Sequence, residues 1–411
     1  MLTLSSVSEA LALLNSRWTP YERHLRLATA EAGGYALTED LHANMDLPPF
    51  ARSSMDGYAI VAADSYGASE NSVQYLTMVG QIAMGEAALQ TLSRGQALQI
   101  ATGGMLPLGA DAVIMLEYTE LLGNQLLLQR AVASGENVVQ QGEDVQAGDR
   151  VLPGGRLLSE ADLAIAASLG YAELLCAARP RVAIFSTGDE LLQPGDEYRP
   201  AMIYDSNGTM LQAMCQRLGI AADFKGSLPD KPQALQRALQ ETLPHYDLLI
   251  LSGGTSVGGR DYTAAEIAAC GSPGVLVHGL NIKPGKPTLI AVLEDKPIFG
   301  LSGNPVTAAI TFQLLVEPTL ARWSSVKPLE RPKIQALLTR NLPSPGGMVS
   351  YVRCRLTSSE IGGEKVFLAH PLLGGSGIIH TLAFADALLA IAANAEGLRE
   401  NTYVEVELLR P

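Results

Sequence analysis

Residues 246–263 read YDLLILSGGTSVGGRDYT, and this stretch decides the fold. Leu248, Leu249, Ile250 and Leu251 form an unbroken apolar run, the mark of a strand buried on both faces. Ser252-Gly253-Gly254-Thr255 follows at once. Glycines at that place let backbone N–H groups approach an anion with no side chain in the way. Asp261 and Thr263 then open a helical run over 264–269. Open parallel sheets bind ligands in the crevice outside the carboxyl ends of their strands. The expectation is a seat for a phosphate-like or oxyanionic ligand. Strand-to-helix turns with two glycines also exist without a ligand. The stretch is neither a Walker A loop nor a GxGxxG fingerprint.

The same strand-helix alternation surrounds it. Residues 181–185 read as a strand, with Ser186-Thr187-Gly188-Asp189-Glu190 as its loop. Residues 207–218 read as a helix capped by Asp205 or Ser206 and closed by Gly219. A strand over 221–225 and a helix over 231–243 follow, with Pro229-Asp230 between them. This alternation predicts a parallel sheet with right-handed crossovers. Asp189, Glu190, Asp230 and the Ser252 to Thr255 turn all fall at carboxyl ends of strands, so they can converge.

Two later loops face that rim. After a strand around 275–278 comes Ile282-Lys283-Pro284-Gly285-Lys286-Pro287-Thr288. Two prolines and a glycine exclude a helix and limit the loop's freedom, so two ammonium groups are presented at little ordering cost. In Phe299-Gly300-Leu301-Ser302-Gly303-Asn304-Pro305-Val306 a strand ends, Asn304 can cap and Pro305 takes the first helical position. The helix then runs on through Phe312 to Leu315. Its free N–H groups and positive dipole end make an anion seat.

The flanks differ in character. Ser6 and Glu9 fit a capping box ahead of a first amphipathic helix. Residues 59–149 show short alternating runs broken by glycines and read as mostly β. Before them, Arg52-Ser53-Ser54-Met55-Asp56-Gly57 gathers polar groups and a turn dipeptide between apolar stretches. Gln141-Gly142-Glu143-Asp144 sets two carboxylates beside a glycine, which suits either a solvated turn or a metal. Residues 159–169 read as a helix with Ser159 at its cap and Gly170 past its end. Residues 334–406 read as a small β-barrel or sandwich and carry Tyr351-Val352-Arg353 and Gly375-Ser376-Gly377.

The whole chain sets limits. Its 411 residues allow two to four domains, and 47% hydrophobic with 17% charged content supports a large core. A net charge of −13 without a basic stripe excludes a dominant nucleic-acid role. An anionic substrate would need local lysines, arginines or a metal to overcome that field. The four cysteines include no CxxC, which fits buried, reduced thiols. Glu9 and the lack of a basic start argue against a signal peptide, and no apolar run spans a bilayer. A cytoplasmic protein with no membrane contact is expected.

Together these pieces resemble the molybdopterin molybdenumtransferase family. The resemblance rests on Ser54-Met55-Asp56-Gly57-Tyr58-Ala59, Thr102-Gly103, Gly142-Glu143-Asp144, Ser186-Thr187-Gly188-Asp189-Glu190, Ser252-Gly253-Gly254, Asp261-Tyr262-Thr263, Lys283-Pro284-Gly285-Lys286-Pro287 and Gly303-Asn304-Pro305-Val306. Gly375-Ser376-Gly377 adds a match near the end. Each motif is weak alone; their order along nearly the whole chain is specific.

The resemblance implies a multidomain α/β plus β protein. Residues 1–24 and 179–327 would form a central Rossmann-like parallel α/β domain of the molybdopterin-binding type. Residues 25–43 and 147–178 would link it, 44–146 would be a β-rich inserted domain, and 328–411 a C-terminal β-barrel-like domain. It further implies a homodimer with an active site shared between subunits, and contact with the adenylyltransferase of the pathway. The implied reaction inserts molybdenum from molybdate into adenylylated molybdopterin, releases AMP and needs Mg2+.

Within that frame Lys283, Lys286, Pro287, Ser302, Asn304, Pro305, Arg353 and Ser376 would hold the oxyanion. Ser252, Gly253, Gly254 and Thr255 would carry phosphate and pterin. Asp189, Glu190, Asp230 and Asp261 would line the nucleotide side, with Glu190, Asp230 and Asp261 as metal ligands. Asp56, Thr102 and Asp144 would come from the partner. Catalysis would fall to Asp56, Asp144, Glu190, Asp230 and Asp261. Three departures from the family pattern stand out: Ser302 where proline is usual, Gln140-Gln141 where arginines are common, and Gly259-Arg260 where an acidic residue often follows. Adenylyltransferase-like chemistry and a non-catalytic pterin-binding scaffold are the competing readings.

Overall fold

The computed structural model describes residues 4–254, 262–323, 331–361 and 363–409. The chain divides into two compact units. One comprises Met1–Leu25, Gly34–Ala36 and Ala177–Pro411; the other comprises Arg26–Gly33 and Leu37–Cys176. Among the described residues no helix is long and apolar enough to cross a membrane. None of the four cysteines is in a disulfide.

Helix α1 (Val7–Arg17) starts as its sequence dictates. The Ser6 hydroxyl accepts from the Glu9 amide, and the Glu9 carboxylate accepts from the Ser6 amide at 2.8 Å. Ala10 and Leu14 of its inner face are fully buried.

The inserted unit is built on a six-stranded curled sheet. Its strands are β1 (Gly57–Ile60), β2 (Gln74–Ile82), β3 (Gln96–Ile100), β4 (Ala112–Met115), β5 (Thr119–Leu122) and β6 (Gln125–Leu128). They lie in the order β4-β1-β3-β2-β6-β5, all antiparallel except the β2–β3 pair. The dipeptide Asp56-Gly57, expected as a turn, instead opens β1. A Cβ at Gly57 would sit 2.0 Å from the Ile114 carbonyl oxygen, so close strand approach requires glycine there. Helix α2 (Glu160–Ser168) has a second capping box, formed by Ser159 and Asp162. Asp162 is only 4% exposed and also accepts from Arg156 Nε at 2.9 Å.

The other unit holds the sheet announced by the Leu248 run. In chain order it contains β7 (Val182–Thr187), α3 (Asn207–Arg217), β8 (Ala222–Leu228), α4 (Pro232–Thr242), β9 (Leu248–Ser252), α5 (Tyr262–Cys270), β10 (Pro273–His278), β11 (Leu289–Leu293) and β12 (Lys296–Leu301). Strand order is β8-β7-β9-β12-β11-β10. The first four are parallel, β11 is antiparallel to both neighbours, and β10 therefore runs with the main set. The all-parallel expectation fails only at β11. A two-residue turn joins β11 to β12, with Glu294 and Asp295 both at positive φ, 49° and 57°. This is a hairpin turn written without the usual glycine or asparagine.

Alternation along the strands divides the core into two layers. Ile184, Ile250 and Phe299 face α1, α3 and the last helices; Ala183, Leu249 and Ile298 face α4 and α5. All five strands of the main direction end at one rim. After β12 the chain forms α6 (Pro305–Thr311), a π-helical turn Phe312–Val316 and α7 (Glu317–Trp323).

Five further strands close a barrel: β13 (Lys333–Leu338), β14 (Val349–Ile361), β15 (Glu364–Pro371), β16 (Ala387–Ile391) and β17 (Tyr403–Leu408). The ring runs β14-β15-β13-β17-β16 and back to β14. Three links fix it against the sheet and its helices within this unit. Ile282 and Lys283 pair in parallel with Val349 and Ser350 of β14. Buried Glu317 accepts from Arg331 at 2.7 Å, while Gln313 of the π-turn donates to Glu407 of β17 at 2.8 Å.

Asp162 yields a pH-dependent stability prediction. Burial pushes its carboxyl up, but the Arg156 guanidinium and the Ser159 donors outweigh this and hold it below the ordinary value. A depressed folded pKa gives stability that is present above the unfolded pKa of about 3.9 and lost as pH falls through the folded value. Asp162→Asn should therefore cost about 1–2 kcal/mol at pH 7. That gap should close below about pH 3.9, as measured by urea unfolding across pH. A gap of constant size down to pH 3 would refute the assignment.

Candidate functional site

The rim of the sheet carries two neighbouring cavities, both within the sheet-and-barrel unit. The larger, about 640 Å³, is lined by Lys283, Lys286 and Pro287 of the lysine loop, Ser302 and Asn304 of the helix entrance, and Arg353 and Ser376 of the barrel part. Seven of the eight residues expected to surround an oxyanion are thus brought together; Pro305 lines the neighbouring cavity. Thr307, Ser350 and Tyr351 are among the further lining residues and were not picked out from sequence. Tyr351 lay inside a noted motif, but nothing in its spacing marked it as facing a ligand.

The lysine loop is held rigid. The Leu280 amide donates to the Lys286 carbonyl at 2.9 Å, and the Gly279 amide donates to the Thr288 carbonyl at 2.9 Å. Gly285 has φ +125°, and a Cβ there would lie 2.6 Å from Ile282 Cδ1. Any other residue would displace the loop. Both lysines remain exposed.

Arg353 is the unusual member. It is only 6% exposed, its two side-chain hydrogen bonds are long ones of 3.3 Å to the Leu372 and Gly374 carbonyls, and its Nε has no partner. Among the described residues no carboxylate pairs with it. Burial pulls its pKa below the ordinary arginine value. A buried cation without a counter-ion is costly, and an anion in the cavity relieves that cost.

The helix entrance differs from the sequence expectation. Asn304 occupies the cap position but its side chain makes no capping bond. The Asn304 amide instead donates to Ser302 Oγ at 3.2 Å, using the hydroxyl that stands where the family usually has proline. The Val306 amide donates to the Ser376 carbonyl at 3.1 Å. The free-amide anion seat is therefore partly filled by the chain itself. The Asn304 side chain stays available and lines both cavities.

The second cavity, about 280 Å³, is lined by Glu190, Ser252, Asn304 and Pro305 from the expected set. It is also lined by Ser186, Thr187, Asp205 and Asn207. Of these, Asp205 was expected only as a helix cap. It does cap, accepting from the Gly208 amide at 3.0 Å. The glycine pair is explained by packing as much as by ligand approach. Gly253 has φ +97° and Gly254 φ +67°, and added Cβ atoms would lie 2.7 Å from the Thr187 carbonyl oxygen and 2.9 Å from Thr187 Oγ1 respectively. The Gly253 amide donates to the Leu301 carbonyl at 2.9 Å, so it is not free for an anion. Thr255 and Asp261 lie outside the described residues.

Asp189 and Asp230 stand outside both cavities. The Asp230 amide donates to Asp189 Oδ1 at 3.4 Å. Burial, then the Asp189 and Glu190 carboxylates, push the Asp230 carboxyl above its ordinary value.

In the inserted unit Asp56 accepts from the Thr102 amide at 2.7 Å and from the Thr102 hydroxyl at 2.9 Å. These bonds hold its carboxyl below the ordinary value. Asp144 lines a separate cavity of about 570 Å³ with Arg52 and Glu143. Asp56 and Thr102 do not line that cavity.

The chain matches known proteins along nearly its full length. Residues 5–170 match the MoeA N-terminal region (domain I and II), 183–322 a probable molybdopterin binding domain, and 335–409 the MoeA C-terminal region (domain IV). It is 31% identical to a molybdopterin molybdenumtransferase of Staphylococcus epidermidis, over 98% of this chain and 95% of that one. It is 32% identical to that of Bacillus subtilis, over 91% and 87%. Identity is 35% to a putative molybdopterin biosynthesis protein of Methanocaldococcus jannaschii, over 90% and 89%. Two structures of the molybdopterin biosynthesis MoeA protein from Pyrococcus horikoshii superpose with TM-scores of 0.85 and 0.79, at 32% and 30% identity. The first match covers 100% of both chains, the second 99% of this chain and 100% of that one. At 31–32% identity over nearly the whole length of curated relatives, with the same fold in a solved MoeA structure, the chain belongs to the molybdopterin molybdenumtransferase family.

Proposed function

We propose that the protein inserts molybdenum from molybdate into adenylylated molybdopterin and releases AMP. The observation that carries this reading is Arg353, a buried guanidinium without a carboxylate, in one cavity with Lys283 and Lys286. Three cations around one cavity suit a dianion, although the whole chain carries a net charge of −13. The lysines neutralise charge from a rigid loop, and the arginine holds the oxyanion from the barrel side. Ser302, Asn304 and Ser376 supply neutral polar groups that orient its oxygens. The sheet would serve as the Rossmann-like module that carries the organic substrate, with 25–43 and 147–178 as the linking domain and 44–146 as the inserted domain.

Mg2+ is the proposed cation of the nucleotide side. Among the described residues no three acidic, histidine or cysteine side chains form a ready metal cluster; support for the cation is the charge that the Asp189 and Glu190 carboxylates bring to bear on Asp230, which a divalent ion would relieve. Glu190, Asp230 and Asp261 would hold it, and its chemistry there would be to stabilise charge developing on the pyrophosphate. Asp56, Thr102 and Asp144 act from the second subunit of a homodimer. Asp56 is fixed by Thr102 and presents an ionised carboxylate. The adenylyltransferase that supplies the substrate is the proposed transient partner.

The deciding experiment mixes protein, adenylylated molybdopterin, molybdate and Mg2+ and follows AMP release. Release should stop on chelation and return with added Mg2+; release that ignores chelation rules the metal out. Adenylylated product from molybdopterin and ATP would instead establish the transferase reading. Lys286→Ala should raise the KM for molybdate about tenfold, the loss of one charge-assisted contact, while nucleotide affinity holds. Equal loss of both would remove that lysine from the oxyanion. Arg353→Met should abolish molybdate-dependent turnover yet leave Tm unchanged or raised, because an unpaired buried charge is removed. A large fall in Tm would show that Arg353 serves the fold.

A further inference from the structure

We propose that Glu407 is a positioning residue that fixes the width of the oxyanion cavity and thereby selects among tetrahedral dianions by size. The proposal rests on the molybdate reading and assigns its selectivity to a residue outside the cavity lining.

The cavity needs such a device. Its cations attract any dianion that can enter, and sulfate matches molybdate in charge and tetrahedral shape but is smaller. Charge and shape therefore do not separate the two, and discrimination falls to the distance between walls. One wall is the helix entrance, with Ser302, Asn304 and Thr307; the other is strand β14, with Ser350, Tyr351 and Arg353. Helix and barrel meet along an apolar seam. Val306 and Ile310 of α6 and Leu388 of β16 are buried together, with Leu314 and Tyr351 packed on them. Apolar contact is non-directional, so by itself it sets no fixed register between helix and strand.

Directional bonds supply that register at both ends of the helical run. At the cavity end the Val306 amide donates to the Ser376 carbonyl at 3.1 Å. At the far end Glu407 Oε1 accepts from Gln313 Nε2 at 2.8 Å. The same oxygen lies 3.6 Å from Arg331 Nη1, and Arg331 Nη2 donates to Glu317 Oε2 at 2.7 Å. Glu317 is 3% exposed and the Arg331 side chain 8%. Glu407 thus joins strand β17 to the π-helical turn directly, and to α7 through Arg331. A π-helical turn inside a helix is an uncommon feature that recurs at functional sites. Here it carries the Gln313 donor.

Position gives Glu407 its reach. Arg353 pairs with Leu388, and Leu388 with Glu407, in antiparallel register. Residues directly opposite in such pairs share one face of the sheet, so Glu407 and the guanidinium residue stand in one row. The Glu407 carboxylate also bears on the cavity wall: burial, then its charge, push the Tyr351 hydroxyl above its ordinary value. Gln313 and Thr307 belong to one continuous helical run that Asn304 precedes. A bond that holds Gln313 therefore holds Thr307 and Asn304 against the row that carries Arg353. Its removal leaves Lys283, Lys286 and Arg353 in the chain but lets the walls slide.

The test titrates the intact protein with molybdate and, separately, with sulfate by equilibrium dialysis, with AMP as a control. Glu407→Ala should weaken molybdate binding about tenfold, lower the molybdate-to-sulfate affinity ratio about fivefold or more, and shift AMP affinity by less than about twofold. Glu407→Gln keeps an acceptor for Gln313 and should recover most of the ratio. Gln313→Leu should reproduce the loss, and it carries the same test if Glu407→Ala does not fold. The double variant should be no worse than either single one, because both residues act through one bond. A lowered Tm with an unchanged ratio would show that Glu407 serves only the fold and would overturn the proposal. So would additive losses, or an equal fall in both anion affinities. If such a protein still releases AMP with molybdate, the proposed reaction stands without the size selection. No molybdate binding by the unsubstituted protein would overturn both. A Glu407-dependent ratio in a protein that releases no AMP with molybdate would refute the reaction alone.

Discussion

The parallel pairing of Ile282 and Lys283 with Val349 and Ser350 is the contact on which the site depends. It makes the lysine loop an extra strand of the barrel sheet. Arg353 lies three residues beyond Ser350 on the same strand, so the backbone bonds that seat the loop also set the distance from both lysines to the guanidinium. The Glu317–Arg331 pair and the Gln313–Glu407 bond act in the same sense, holding the opposite side of the barrel to the helix that follows β12. Geometry is built here from main-chain ladders and buried pairs rather than from long flexible side chains. That lowers the ordering cost of binding a small anion.

The two cavities are electrostatic opposites that share a wall. Among the described residues, one gathers three cations without acid partners and the other gathers two carboxylates and no base. Asn304, neutral and free of capping duty, stands between them. The same division explains how an acidic protein can attract a dianion, because the local field at the rim is set by a few fixed charges rather than by the total.

Ser302 shows how one departure from a family pattern is absorbed. Where a ring would fix the backbone, a hydroxyl accepts the Asn304 amide and closes the turn by hydrogen bonding. The helix still begins at Pro305, and its second amide is taken by the Ser376 carbonyl. The loop that carries Ser376 is thereby tied to the helix start, which places barrel and sheet residues around one cavity.

The sequence by itself determined the elements and the turns that matter. The unbroken Leu248 run, the capping boxes at Ser6 and Ser159, and the prolines and glycine of the lysine loop are local signals, and local sterics enforce them. It was the family resemblance, not these local signals, that grouped Arg353 and Ser376 with Lys283, Lys286, Ser302 and Asn304, and in the structure all six line one cavity. Only the tertiary structure decided how that site is wired. The hairpin at Glu294-Asp295 lacked its usual residues, so the reversed strand β11 was illegible. The Gly253 and Val306 amides were expected to be free, yet carbonyls distant in sequence occupy them. Asp205 and Asn207 looked like helix-start residues, and only packing against Ser252 and Gly303 revealed acceptors left without partners. Periodicity reports which face of an element is buried; it cannot report which remote group a buried polar atom meets, because that depends on where separate turns are brought by the closing of the sheet and the barrel.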